Sequence, residues 1–243
     1  MRLAKYLAAA GVASRRRAEV MIREGLVKVN GQTVVIPQTL VSPDDNVLVR
    51  GRKVKLPRSF TYVLLHKPPG YLTTMNDPRG RPTVNELLDG LKVRVYPVGR
   101  LDRDVSGVLL FTNDGELAHR LAHPRYGVKK TYRVKVRGIL SRADRRSLRR
   151  GIMLEEGRTA PAEVSRVRLD RGSNCSIFDL TLVQGWKRQV KRMCLAIAHP
   201  VIRLERTCFA FLGTGKLPPG SYRHLDAGEV ARLRELVGLE MLP

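Results

Sequence analysis

Long apolar runs are missing from this chain: nowhere do about 18 consecutive apolar residues occur, which excludes an ordinary membrane-spanning helix. The first residues, Met1 to Gly11, also lack the apolar stretch and small-residue cleavage site of a secretory leader, so a cytoplasmic protein is expected. Cysteine is scarce. The three in 243 residues, Cys175, Cys194 and Cys208, are odd in number, far apart and mostly set in apolar patterns, which argues for reduced core thiols and against a disulfide framework or a zinc site. Acidic residues are in short supply too: 22 Asp and Glu face 45 Lys and Arg, for a formal net charge of +23. Such an excess points to a polyanionic partner, nucleic acid first of all. A membrane partner is not expected, because no basic helix carries a strongly apolar opposite face.

Metal and nucleotide signatures are incomplete as well. "HRLAH" spaces His119 and His123 as zinc ligands can be spaced, but it lacks the glutamate of a metalloprotease and a third ligand. "GTGKL", residues 213 to 217, has the Gly-Lys of a phosphate loop, yet Ala210 and Leu217 break its spacing. No metal and no cofactor are expected.

What the chain does have is a 43% hydrophobic content, enough for a sizeable core, and a readable order of elements. The charged, aperiodic "RGRKVKLPRS", residues 50 to 59, reads as a linker and divides the chain into residues 1–57 and 58–243. In the first part, Leu3, Leu7 and Ala10 share a helical face that Gly11 ends, and Ala18, Met21, Ile22 and Leu26 continue a second pattern after Ser14. "LVKVNGQTVV" then predicts a strand, an Asn30-Gly31 turn and a returning strand. Arg15, Arg16 and Arg17 follow the N-cap Ser14, where the helix dipole prefers acids, and cations beside a helix start suit phosphate binding. In the second part, strands are predicted at Tyr62–His66, Val108–Thr112, Thr131–Val136, Ala162–Leu169, Ser176–Val183 and Val201–Leu204. Helices are predicted at Gly115–Ala122, Ala143–Arg149, Arg188–Ala198 and Ala227–Leu236. Regular strand–helix alternation is absent, so an α+β fold with a mainly antiparallel sheet is expected.

Chemistry concentrates in "VGRLDRDVSGVLLFTNDG", residues 98 to 115, where Arg100, Asp102, Arg103 and Asp104 interrupt apolar sequence. Arg100 and Asp102, two apart in an extended segment, would point to one side. A carboxylate held between cations at an apolar rim stays ionised and partly shielded, which suits a nucleophile. "KKTYRVKV" sets Tyr132 among cations at a strand start, an arrangement suited to stacking on a base. "QGWKRQVKRM" places Lys187, Arg188, Lys191 and Arg192 at a helix start against the dipole, a conflict that a polyanion or a buried carboxylate would resolve.

The order of elements in "RLAKYLAAAGVASRRRAEVMIREGLVKVNG" resembles the small RNA-binding domain of the S-four or alpha-L type. Together with it, "HKPPGYLTT", "DPRGRPTV", "YPVGRLDRDVSGVLLFTNDGELAHRLAHP", "KKTYRVKV" and "GWKRQVKRM" closely resemble the RsuA/RluB branch of the pseudouridine synthases over nearly the whole chain. The resemblance implies a small N-terminal alpha-L domain and a larger catalytic domain of the pseudouridine synthase fold. It implies isomerisation of uridine in ribosomal RNA or a pre-ribosomal particle, with a lean toward the large subunit. Asp102 matches the family's catalytic aspartate, Arg100 the arginine that helps displace the target nucleotide, and Tyr132 the aromatic lying on the uracil. Lys191 matches the basic residue that pairs with the catalytic carboxylate, and Leu204 the apolar floor of the base pocket. Arg188 and Gln189 are implied in substrate binding, and Ser14, Arg15, Arg16, Arg17, Lys28 and Asn30 in RNA binding. Whether the carboxylate attacks the sugar carbon or abstracts a sugar proton stays open at this point. The competing expectation is a noncatalytic RNA-binding or ribosome-assembly factor on the same fold; a monomer is expected in either case. Gln184 and Trp186 depart from the family's usual residues, and Trp186 is the single tryptophan.

Overall fold

Leu3, Ala4, Tyr6 and Leu7 are buried on one side of the first helix, α1 (Leu3–Ala9), which Gly11 follows at φ +78°. The second, α2 (Arg15–Arg23), starts at Ser14, whose hydroxyl accepts the Arg17 N–H at 3.3 Å and so satisfies one orphan donor. The strands β1 (Val27–Val29) and β2 (Gln32–Thr33) turn through Asn30-Gly31, both at positive φ (51° and 84°), the pairing that matches the twist of a two-residue hairpin. β3 (Val47–Val49) and β4 (Arg52–Lys53) repeat the device at Arg50-Gly51 and complete an antiparallel sheet in the order β2-β1-β3-β4. The stretch expected to be aperiodic from residue 50 therefore begins as a hairpin, because Gly51 supplies the left-handed turn that its charge pattern conceals. Leu3, Leu7, Ala18, Ile22, Val27 and Val47 close the core of this unit.

The computed structural model describes residues 1–57, 59–170 and 172–240. The chain separates into a unit of Met1–Thr61 with Val93–Val95 and Asn113–Gly115, and a unit of Tyr62–Lys92, Tyr96–Thr112 and the chain from Glu116 on. The second unit is built on one large sheet. Its elements run β5 (Tyr62–Lys67), β6 (Tyr96–Pro97), β7 (Ser106–Thr112), α3 (Gly115–Ala122), β8 (Lys130–Arg137), α4 (Arg142–Arg150), β9 (Met153–Leu154) and β10 (Gly157–Arg158). They continue with β11 (Glu163–Asp170), β12 (Cys175–Leu182), α5 (Gln189–Ala196), β13 (Val201–Phe209), β14 (Leu212–Gly213), β15 (Tyr222–His224) and α6 (Ala227–Leu236). The sheet order is β11-β12-β8-β13-β7-β5-β15, with β14 on β13 and β6 on β7. Among the described strands of this sheet, every pairing is antiparallel except β13 with β7.

β5 and β7 are fully buried along most of their length, which explains their unbroken apolar runs: both faces of the sheet are covered there. Leu64, Val108 and Leu110 pack with Leu117 and Leu121 of α3 and Leu233 of α6. α4 and α6 are each started by a capping box, Ser141 with Asp144 and Asp226 with Glu229. Cys175 and Cys194 are buried and all three cysteines are free; burial pushes the Cys194 thiol up to about 12, so it is inert at neutral pH.

Gly107 lies where β7 meets β13 in parallel. It stands opposite Arg206 at φ +111°, and a Cβ there would lie 2.1 Å from the Arg206 carbonyl oxygen. Backbone, unlike a side-chain tip, cannot swing aside. Gly107→Ala is expected to lower stability by about 3 kcal/mol or more, read as a fall in the urea midpoint at unchanged m-value.

Candidate active site

The interrupted strand becomes a loop between β6 and β7, anchored by the buried side chains of Leu101 and Val105. The Leu101 N–H donates to the Thr73 hydroxyl at 3.2 Å, which in turn donates to the Leu101 carbonyl at 2.7 Å. On the other side of Asp102, the ammonium of Lys67 donates to the carbonyls of Asp102 (3.3 Å), Arg103 (3.2 Å) and Val105 (2.8 Å), and to that of Pro68 at 3.0 Å. Lys67 is 0% exposed, and burial pushes its pKa down to about 8 although the Asp104 and Asp102 carboxylates oppose the shift. The loop is thus pinned from within through its backbone and through Leu101 and Val105. Nothing in the sequence distinguishes Lys67 from a solvated lysine at a strand end, so its role was not legible there.

Sheet register supplies the opposite wall. Tyr132 on β8 pairs with Arg206 on β13, and Leu204, two residues from Arg206, lies diagonally across from Tyr132 on the same face. The same row runs on through Gly107 to Lys67. Tyr132 and Leu204, the Asp102 loop and the turn before α5 enclose a cleft of about 450 Å³ whose lining includes Arg100, Asp102, Tyr132, Trp186, Arg188 and Leu204. That is within the usual range for a small-ligand pocket. Leu204 is 6% exposed and forms an apolar wall, and neither the Asp102 carboxylate nor the Tyr132 hydroxyl hydrogen-bonds to another described residue. Arg188 caps α5 from a left-handed backbone (φ 53°), a strained conformation for a residue with a Cβ, at the rim of the cleft.

Lys191 does not pair with Asp102. Its ammonium meets the Asp104 carboxylate at 2.5 Å, and this bond holds the Asp104 pKa below the usual carboxylate range. The sequence offers two aspartates two residues apart, and the loop turn, closed by the Val105 N–H on the Asp102 carbonyl at 3.1 Å, presents the second one to α5. Arg192 is likewise neutralised by a two-point contact with Glu156, both at 2.7 Å. Two carboxylates therefore answer the cations at the start of α5, while Lys187 and Arg188 keep no ion pair among the described residues. Gln189 also lines the cleft but is committed internally: its amide accepts from the Trp186 N–H at 3.0 Å and donates to the Gln184 side chain at 3.3 Å. Gln184 accepts the Ala160 N–H at 2.8 Å, so the two glutamines shape the turn that presents Trp186.

In the N-terminal unit Arg15, Arg16, Arg17 and Lys28 are exposed, with Arg15 4.0 Å from Glu19. Ser14 is used as a cap, and the Asn30 amide braces its own turn through Asp45 (2.9 Å) and the Asn46 N–H (2.9 Å). The cationic side chains are accordingly the ones left for a ligand. No helix among the described residues is long and apolar enough to cross a membrane, and no cluster of three or more His, Cys, Asp or Glu among them could hold a metal ion.

Comparison with known proteins agrees with this geometry. The family model described as RNA pseudouridylate synthase matches residues 61–196, and the S4 domain model matches residues 1–47. The chain is 48% identical over 235 residues to the ribosomal large subunit pseudouridine synthase B of Bacillus subtilis (strain 168), covering 97% of this chain and 96% of the relative. It is 43% identical over 245 residues to an uncharacterized RNA pseudouridine synthase of Aquifex aeolicus (strain VF5), covering 100% and 97%. A crystal structure of a pseudouridylate synthase superposes with a TM-score of 0.69 at 29% identity, covering 96% of this chain and 99% of that one. With a pinned loop offering a carboxylate to an aromatic, apolar-walled cleft, and with these matches across its length, the chain belongs to the RNA pseudouridylate synthase family.

Proposed function

We propose that this chain isomerises a uridine in large-subunit ribosomal RNA, with Asp102 as the catalytic carboxylate. The reaction breaks the bond from ribose C1′ to uracil N1 and forms one from C1′ to C5; a proton leaves C5 and one is taken up at N1. Atoms and oxidation state are conserved, so the balance needs no group donor. The observation carrying the reading is the unengaged carboxylate of Asp102 in the same cleft as Tyr132 and Leu204. Whether it bonds to the sugar carbon or removes a sugar proton, the carboxylate must be directed at the ribose, and Arg100 and Arg188 stand in the same lining. The target base leaves its stack at a cost of a few kcal/mol, offset by stacking on Tyr132 and by cationic contacts to phosphates. We assign Lys191 to holding Asp104, and through it the loop, against α5. Residues 1–57 are assigned to RNA binding and 58–243 to catalysis, working in the cytoplasm where ribosomal RNA is matured. The relative from Bacillus subtilis, named for the large subunit, supports the choice of RNA.

The test is a pseudouridine map of unmodified large-subunit and small-subunit rRNA transcripts after incubation with the purified chain. One new pseudouridine in the large-subunit RNA is expected. Modification confined to the small-subunit RNA would refute the choice of subunit, and none in either would refute ribosomal RNA as substrate.

A further inference from the structure

Among the described residues, the five arginines of α4 serve neither the core nor any ion pair. Arg142, Arg145, Arg146, Arg149 and Arg150 fall within an arc of about 140° around the helix axis. The buried Leu148 and the Asp144 that bonds His199 at 3.2 Å lie on the other side. The arginines form no salt bridge among the described residues; two of them use one nitrogen each on a backbone carbonyl, Arg145 on Ser141 at 3.2 Å and Arg149 on Val164 at 3.0 Å. The helix dipole accounts for Arg149 and Arg150 in the last turn but works against Arg142 in the first. Like charges three and four residues apart also repel, so in the free protein this face is electrostatically unrelieved.

The position of the helix gives that face a direction. Arg149 lines a groove of about 410 Å³ together with Lys129, Glu163, Leu182 and Val183, in which Lys129 and Glu163 stand 3.9 Å apart. Leu182 lines the active-site cleft as well, so groove and cleft share a wall. Arg149 puts the arginine face of α4 at this groove.

We propose that α4 and the adjoining groove bind the phosphate backbone of the RNA flanking the target uridine. The proposal rests on an RNA substrate for the cleft. A row of guanidinium groups with no acidic partners matches the regular charge of a phosphodiester chain, and each phosphate neutralised releases condensed counterions.

The test compares the full chain with a variant carrying Arg→Gln at all five positions and a second carrying Arg→Lys; Gln and Lys keep helix propensity close to that of Arg. The probe is a large-subunit rRNA transcript, with binding measured against salt concentration. The Gln variant is expected to bind at least about tenfold more weakly near 0.15 M salt, with a slope of log K on log salt shallower by about two or more. The Lys variant should stay near wild type. In turnover, KM should rise for the Gln variant while kcat at saturating RNA moves less than about twofold. An unchanged affinity and salt slope in the Gln variant overturns the proposal, as does a fall in kcat without a change in KM. Loss of binding to phosphatidylglycerol vesicles with RNA binding intact overturns it in favour of a lipid surface. Because binding is read independently of modification, a wild-type chain that binds this RNA without modifying it would count against the catalytic reading and leave the comparison on α4 standing.

Discussion

Asp102→Asn is expected to reduce pseudouridine formation by about 10⁴-fold or more while changing RNA affinity less than about threefold. The amide has the carboxylate's shape but no charge with which to act on ribose. Folding should be nearly untouched, within about 0.5 kcal/mol, because the Asp102 side chain makes no hydrogen bond to a described residue and its backbone carbonyl keeps the bond from Lys67. Asp104→Asn is the informative partner. It loses the charge that Lys191 holds, and so should loosen the loop and lower the rate by a smaller factor. Single-turnover rates with saturating enzyme rank the two. If Asp104→Asn were the more severe, or if Asp102→Asn kept a tenth of wild-type activity, the chemistry would have to be reassigned to Asp104. A chain acting only as an RNA-binding factor would show no modification in any of the three proteins.

Lys67→Met is the second change with a large expected effect, and it acts on the frame of the site. Four carbonyls lose their donor at once, that of Val105 in a fully buried bond and the other three in partly buried ones, and a buried acceptor left unpaired costs about 1–3 kcal/mol. With partial relaxation of the loop, a loss of about 3 kcal/mol in urea unfolding is expected, with at least a hundredfold fall in rate because the Asp102 loop is no longer pinned. The pH dependence has a definite sign. Lys67 titrates near 8 when folded against about 10.4 in the unfolded chain, so between those values the unfolded state binds more protons and this group's contribution raises stability as pH increases. Lys130, also buried and pushed down to about 8, contributes with the same sign, so Lys67→Met should remove part of the slope and leave the rest. Activity runs the other way: above about pH 8 the ammonium loses one of its three protons and its charge beneath the loop, so kcat/KM should decline. Rates that stay level to about pH 9.5 would contradict this role for Lys67.

Much of the fold was legible because local physics is written locally. Ser14 caps α2, Asn30-Gly31 turns the first hairpin, and α3 and α6 run over the predicted residues. β13 was read as ending at Leu204 but runs to Phe209, since "ERTCF" carries polar residues whose pairing is decided by β7 and β8 on either side. The antiparallel expectation holds apart from that same contact, where β13 meets β7 in parallel; strand direction depends on how the chain returns, which side-chain alternation does not record. Arg100, Asp102, Tyr132, Arg188 and Leu204 come together in one cleft, although they are spread over more than 100 positions of sequence.

By itself, the sequence determined most of the helices and long strands, the Ser14 cap and the Asn30-Gly31 turn, the basic character of the molecule and five residues that gather at the cleft. Periodicity, capping and turn chemistry depend on neighbours within a few positions, and the cleft residues sit in motifs that resemble a known family. The tertiary structure alone decided that Lys191 holds Asp104, that Lys67 is buried under the loop as its anchor, that Gly107 must stay a glycine, and that the groove beside α4 shares a wall with the cleft. Each of these depends on which atoms meet through space. Charge pairing, burial and close backbone approach are set by distance after packing, and residues as alike as two aspartates on one loop differ only in what the fold brings to them.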